Sequence, residues 1–418
     1  MTIAPGLSRC PTIVHALAGA VAQVPFVTAL VCEERRLSYA ELGRAVSGLA
    51  RLLAALGARG GRVVVLLPTS IEAVVSALAV LAAPAQLTPV DPSVSAAVLE
   101  QILIEAEPCL IVCDATSRAA LAELESRRAL PHRLVWGSLE LDVSAWLEDE
   151  SLDLTALELP LPDELALLLF TSSTTGAPRG VEHAHRGVAL SLLQHCTCWP
   201  VASGRDRFLD VAPLFDVWGL MYATLVPIYA RATRVLVPRF DAERVLAAIE
   251  QHAISVFAGG PAAIYSALLA SARYGSTDFS SLRHSLSDGA ALPPELFETW
   301  QRGTRRPLLT SWSLAEAAPL CLSDARVPGK PGSVGRAAPL TQVSVVDRGT
   351  GRDELPPNQP GQVRVRGPQL MLGYRNRPEE TSAALREGWL YTSEIGYLDE
   401  DGFLFLNERS VHAPARDD

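Results

Sequence analysis

The segment Leu165 to Gly187, LALLLFTSSTTGAPRGVEHAHRG, passes from an apolar run straight into five hydroxyl residues, a glycine and an arginine. Phosphate oxygens call for backbone amides and hydroxyls converging on one point, with a fixed positive charge beside them. Thr171, Ser172, Ser173, Thr174, Thr175 and Gly176 offer the first, and Arg179 offers the second. The run Leu165 to Phe170 is long enough to be a buried strand that delivers this loop. The spacing is not that of a Walker loop, and no GxGxxG follows an expected strand, so another phosphate-binding design is implied.

Elements able to position such a loop are legible on both sides of it. Leu37 to Leu56 has helical spacing, with Ser38 as N-cap and Glu41 completing a capping box. Arg62 to Leu67 reads as a strand, Ser70 to Ala83 as a helix, Gln86 to Val90 as a strand, Ser95 to Glu105 as a helix and Cys109 to Cys113 as a strand. After the loop the alternation resumes, with helices at Gly187 to Cys198, Trp218 to Ala230 and Ala242 to His252, and strands at Arg207 to Val211, Thr233 to Val237 and Ser255 to Ala258. Alternation of this kind implies an α/β fold of mainly parallel sheets covered by helices, in two doubly wound lobes. Beyond Pro331, short alternating runs at Gln342 to Val346, Gln362 to Arg366 and Phe403 to Leu406 suggest a small β-barrel or curled sheet. The expected division is therefore a first lobe over residues 1–160, a second over 161–330 and a β-subdomain over 331–409, with an acidic linker at Glu148 to Asp163.

Composition narrows the function classes. At 418 residues the chain exceeds the size at which single cores stop growing, roughly 250–300 residues. Hydrophobic residues make up 49% and charged residues 20%, as expected of a packed globular protein. A formal net charge of −10 gives no broad field to attract nucleic acid or an anionic membrane. The seven cysteines lack paired CxxC spacing and fit a reduced cytoplasmic setting; Cys196 and Cys198 beside His195 fall short of a zinc ligand set. The apolar stretch Ile13 to Val24 reads as an amphipathic first helix rather than a signal peptide.

An ordered series of further motifs follows the loop: APLFDVWGL at Ala212 to Leu220, SDGAALPPEL at Ser287 to Leu296, SWSLAEAAP at Ser311 to Pro319, PGSVGRAAP at Pro331 to Pro339, GQVRVRGPQLMLGYRNRPEET at Gly361 to Thr381 and GWLYTSEIGYLDEDGFLFL at Gly388 to Leu406. Together with the loop, this series resembles the adenylate-forming (AMP-binding) superfamily of acyl-CoA synthetases, nonribosomal peptide synthetase adenylation domains and luciferases. The resemblance runs from about Pro25 to Arg409 and implies the large N-terminal domain of such an enzyme. It also implies ATP and magnesium as cofactors, and ATP-dependent activation of a small carboxylic acid, with transfer to CoA or a carrier-protein thiol.

Carried over by motif, the loop and Arg179 would hold the β- and γ-phosphates and Glu316 would coordinate magnesium, making Arg179 and Glu316 the catalytic pair. Trp312 would stack on adenine beside Ser313 and the Asp288, Gly289, Ala290 turn, while Glu394 and Arg409 would hold ribose. Phe215, Asp216, Trp218, Gly260, Ser287 and Ser311 would line the acid pocket. Relatives resembling CoA ligases commonly have His where Asp216 stands, whereas amino-acid-activating domains commonly have Asp. An amino or hydroxylated acid is one reading, and an aspartate that merely caps the next helix is the other.

Several positions depart from the family pattern. Ser173 replaces a glycine and Arg179 a lysine; Trp312, Ser313 and Ala315 replace tyrosine, glycine and threonine; Glu394 replaces aspartate. The chain continues only nine residues past Arg409, and the lysine carried by the family's mobile C-terminal lid has no counterpart. Loss of that charge and of lid closure is expected to slow adenylation or make it depend on a partner. Two alternatives to a working acid–thiol ligase therefore stay open: a degenerate, non-catalytic binding module, and a repurposed starter-loading domain of a secondary-metabolite assembly line.

Overall fold

The computed structural model describes residues 10–137, 141, 143–171, 178–289 and 291–407. Ser172, Ser173, Thr174, Thr175, Gly176, Ala290 and Arg409 lie outside the described residues, as does the terminal segment 408–418.

Two large sheets dominate. The first has seven strands in the order Gly373–Tyr374, Gly180–Ala184, Leu165–Phe170, Gln86–Pro89, Arg62–Leu66, Leu110–Cys113 and His132–Val135. The second has nine, in the order Arg336–Ala337, Ala317–Leu322, Leu308–Leu314, His284–Ser287, Val256–Ala258, Arg207–Asp210, Thr233–Leu236, Thr28–Cys32 and Arg35–Ser38. The middle of each is parallel, as Val–Leu–Ile-rich strands buried on both faces should be. A third, antiparallel sheet joins Gln342–Val346, Gly361–Arg366, Trp389–Leu398, Leu385–Arg386 and Leu404–Leu406. Its hydrogen bonds run as an open path among the described residues.

Side-chain alternation along the strands builds the layers. Val63 and Val65 face a core shared with Ala29 and Leu30, Phe208, Val256 and Leu309 of the second sheet, so the two large sheets pack around one helical layer. Helix Ile71–Ala82, buried at every residue but Glu72, fills that layer beside helix Tyr39–Ala55. Val64 and Leu66 face the opposite way, onto helices Ala96–Ala106 and Arg118–Glu125. Leu209, Val235 and Phe257 likewise face helices Ala242–Gln251 and Pro294–Thr304. The capping box expected at Ser38 is formed: the Ser38 amide donates to Glu41 Oε2 at 2.7 Å, and the Glu41 amide donates to Ser38 Oγ at 3.3 Å.

The sheets do not divide at residue 160. Thr28–Cys32 leaves the first third of the chain to pair in parallel with Thr233–Leu236, and Leu165–Phe170 pairs in parallel with Gln86–Pro89. Gly373–Tyr374, expected within the β-subdomain, instead pairs with Val181 and Glu182 at the edge of the first sheet. Strand pairing is a long-range choice made by the shared core, and local periodicity carries no record of it. No helix among the described residues is long and apolar enough to cross a membrane.

Candidate active site at the seam between the two large sheets

In open parallel sheets, ligands bind beyond the carboxyl ends of the strands. Five sequence-named segments sit there. Thr171 follows Leu165–Phe170, Asp216 comes six residues after Arg207–Asp210, Gly260 follows Val256–Ala258, Asp288 follows His284–Ser287, and Glu316 occupies the turn between Leu308–Leu314 and Ala317–Leu322.

The phosphate loop springs from a hairpin whose base is described. The Thr171 amide donates to Arg179 O at 3.0 Å, and the Arg179 amide donates to Thr171 Oγ1 at 3.4 Å. The Arg179 guanidinium lies over the Tyr374 ring, 4.6 Å from its centroid, and pairs with Glu380 at 3.5 Å. Tyr374 Oη in turn donates to Glu316 Oε1 at 2.7 Å. Burial and the Glu316 carboxylate push the Tyr374 hydroxyl well above its ordinary range, so it stays a donor. The Met371 amide donates to Glu316 O at 2.8 Å, fixing the turn on which Glu316 stands. Arg179 and Glu316, named from sequence, therefore meet through a residue that was quoted within a motif but given no role. Its signal was the GYRNRPEE run, whose edge-strand pairing returns Tyr374 and Glu380 to the loop.

A second constellation surrounds Asp288. Ser311 Oγ donates to its Oδ1 at 2.6 Å, Ser313 Oγ lies 2.7 Å from both carboxylate oxygens, and Tyr222 Oη donates to Ser313 Oγ at 3.0 Å. Burial nevertheless raises the Asp288 carboxyl to about 6, against the lowering effect of the two serines, and the Asp216 charge adds to the rise. Asp216 holds the N-cap position ahead of helix Val217–Leu220 without completing a side-chain capping bond. Although it reaches solvent, crowding by protein raises its carboxyl too, only partly offset by the nearby Trp218 and Val217 amides. The Val217 and Trp218 amides still favour the charged Asp216 carboxylate, as the capping reading expects.

Trp218 is only 4% exposed and packs on Tyr222 with ring centroids 4.4 Å apart. Its Nε1 has no partner among the described residues. Gly260, at φ +78°, leaves room for the indole: a Cβ there would stand 3.1 Å from Nε1. Ser287 Oγ donates to Gly260 O at 2.7 Å, so it buttresses the wall rather than facing an opening. Phe215 is half-buried beside Asp216.

Trp312 departs from expectation. Successive residues of strand Leu308–Leu314 face opposite ways, and with Ser311 and Ser313 turned to Asp288, Trp312 is 2% exposed in the core with Val181, Leu320 and Val365. In this conformation it presents no open ring face. Glu394 is buried on strand Trp389–Leu398, in the antiparallel sheet, with its amide donating to Thr392 Oγ1 at 3.2 Å. A narrow apolar cleft lined by Leu167, Leu169, His183, Val188 and Met221 ends against Ala315, next to Glu316. His183 Nε2 is bonded to Ala315 O at 2.8 Å, and burial lowers its pKa.

Comparison with known proteins identifies the family. The chain matches the model of a family described as AMP-binding enzyme over residues 17–375. It is 28% identical to the long-chain-fatty-acid–CoA ligase of Bacillus subtilis (strain 168), over 95% of this chain and 76% of that protein. It is 32% identical to the feruloyl-CoA synthase of Amycolatopsis sp, over 92% and 76% respectively. Among solved structures, ATP-bound MatB from Rhodopseudomonas palustris is similar with a TM-score of 0.86 and 26% identity, over 95% of this chain and 78% of that one. The inhibitor-bound N-terminal domain of FACL13 from Mycobacterium tuberculosis is similar at 0.85 and 26%, over 95% and 99%. With a family model matching most of its length and a 32% identical relative aligned over 92% of it, this chain belongs to the AMP-binding enzyme family.

Proposed function

We propose that the chain activates a carboxylic acid with ATP, forming an acyl-adenylate and pyrophosphate, and passes the acyl group to the thiol of CoA. The observation that supports this most is the meeting of Thr171 and Arg179 of the loop with Glu316 and Tyr374 at one seam, from three separate motifs. A carboxylate oxygen of the acid bonds to the α-phosphorus while the bond to the pyrophosphate oxygen breaks and its electron pair leaves with pyrophosphate. The thiol sulfur, its proton released to solvent, then bonds to the acyl carbon while the carbon–oxygen bond to the phosphate breaks and its electron pair leaves with AMP. Both reactants of the first step are anions, so the site must neutralise charge and hold them in line.

In this reading Arg179 holds the β- and γ-phosphates together with the loop, and Asp288, Gly289 and Ser313 bound the nucleoside end, with ribose near Glu394. Glu316 suits magnesium: its carboxylate is part-exposed, and its hydrogen bond among the described residues, from Tyr374, occupies one oxygen. Magnesium binds through one or two carboxylates completed by water and substrate phosphates. No group of three or more His, Cys, Asp or Glu that could cage a metal occurs among the described residues. When bound, the ion supplies positive charge to the phosphate oxygens as the bond to pyrophosphate lengthens.

Asp216 and Asp288 favour an acid bearing an ammonium or hydroxyl group. Two carboxyls, each raised by burial and one raised further by the other's charge, are relieved by a bound cation. The remainder of the acid would have to widen the narrow cleft beside Ala315, which in this conformation has room for about one water.

Acid-dependent exchange of labelled pyrophosphate into ATP tests the proposal, with amino, hydroxy, aryl and fatty acids compared. Exchange with one of these classes is expected, strongest for acids carrying an amino or hydroxyl group. ATP binding with no exchange for any acid would instead support a non-catalytic module.

A further inference from the structure

Arg179 and Glu316 carry opposite charges and line the same seam, yet no salt bridge joins them among the described residues. The Arg179 guanidinium is spread over the Tyr374 ring at 4.6 Å and turned to Glu380 at 3.5 Å, while Glu316 Oε1 accepts the Tyr374 hydroxyl at 2.7 Å. Glu380 is itself anchored by Arg377 at 2.9 Å, and Arg377 reaches Glu105 at 3.0 Å on helix Ala96–Ala106. Tyr374 is 8% exposed, its backbone paired to Val181 on the strand that Arg179 leads into, and its amide donates to Thr381 Oγ1 at 2.9 Å.

A guanidinium and a carboxylate that paired directly would each be spent on the other. An aromatic ring between them accepts the cation on its face and offers the anion a hydroxyl on its rim, so neither charge is spent on the other. Among the described residues Arg179 is left with only the 3.5 Å pair to Glu380, which Arg377 shares.

We propose that Tyr374 is a positioning residue, a spacer that holds Arg179 and Glu316 apart and orients the Glu316 carboxylate for a divalent cation. The inference rests on the nucleotide-site reading above. It separates the two functions of one side chain: the ring serves Arg179 and phosphate, and the hydroxyl serves Glu316 and metal.

Calorimetric ATP titrations with and without magnesium test this on Tyr374→Phe, Tyr374→Leu, Glu316→Gln and the Tyr374→Phe/Glu316→Gln double variant, with thermal melts to confirm folding. Tyr374→Phe keeps the ring and loses a hydrogen bond to a charged group. The magnesium concentration for half-maximal ATP binding should rise about tenfold, while magnesium-free ATP binding stays within about twofold. Tyr374→Leu should weaken ATP binding with and without magnesium. In the Glu316→Gln background, Tyr374→Phe should change the magnesium dependence no further, because the hydroxyl acts through Glu316.

An unchanged magnesium midpoint in a folded Tyr374→Phe protein overturns the spacer role, as does an equal loss with and without magnesium or a full additional effect on Glu316→Gln. Wild-type chain that binds no ATP under either condition overturns both the spacer and the nucleotide-site reading. Normal wild-type binding and pyrophosphate exchange with an indifferent Tyr374→Phe overturns the spacer alone.

Discussion

Glu316→Gln is expected to slow pyrophosphate exchange by about 10² to 10³, the usual consequence of removing one preorganised electrostatic group from a site where charge develops. The turn that carries Glu316 is held by the Met371 amide, and its carboxylate is held by Tyr374, so glutamine can occupy the same space and only the charge is lost. A carboxamide is a poor magnesium ligand, and it leaves the positive field of Arg179 without the metal that shares the phosphates. The deficit should therefore fall mainly on turnover at low magnesium and narrow only partly at high magnesium. Exchange rates across a magnesium series, with a melting curve to show that the variant is folded, read this directly. A rate within a few-fold of wild type would remove Glu316 from the machinery.

The second large effect concerns Asp288 and pH. Its carboxyl ionises in the folded chain near about 6, against 3.8 ordinarily, because burial outweighs the Ser311 and Ser313 hydrogen bonds. Between about pH 4 and pH 6 the folded chain holds a proton that the unfolded chain has already released, so stability falls as pH rises through that window. At roughly 1.4 kcal/mol per unit, the cost above pH 6 is about 3 kcal/mol at most. Asp288→Asn carries no such cost. Measured by urea unfolding at pH 4.5 and pH 7.5, the variant should gain on wild type as pH rises, by up to that amount. The hydroxyl donors Ser311 and Ser313 can still reach the amide oxygen, which keeps the comparison close to a test of charge. A stability difference that does not change with pH would show that burial does not hold this carboxyl up. A bound ammonium ligand should reduce the gap by favouring the ionised form.

Local features survived translation into structure. The capping box at Ser38 and Glu41 and the helix–strand alternation through Cys113 depend on neighbours a few residues away, and each is legible as written. What periodicity could not convey was pairing at a distance. Thr28–Cys32 joins the second sheet across two hundred intervening residues because its Leu30 and Val31 complete cores on that sheet's two faces. Trp312 shows the limit at single-residue scale. A motif position implies a role, but strand parity decides which face a side chain takes. Here parity gave the Asp288 side to Ser311 and Ser313 and the core to Trp312. Tyr374 was invisible for the opposite reason: a two-residue edge strand is too short to read, yet it places a hydroxyl on Glu316 and a ring under Arg179.

The account as a whole rests on a triphosphate lying at the seam of the two large sheets. A crystal structure of the chain with ATP, magnesium and the exchange-active acid tests it most directly. The account predicts phosphate oxygens against Arg179 and the hairpin that begins at Thr171, with the metal on Glu316 and the acid's polar group toward Asp216 and Asp288. Nucleotide bound away from this seam, or a metal that ignores Glu316 while the phosphates are in place, would contradict it.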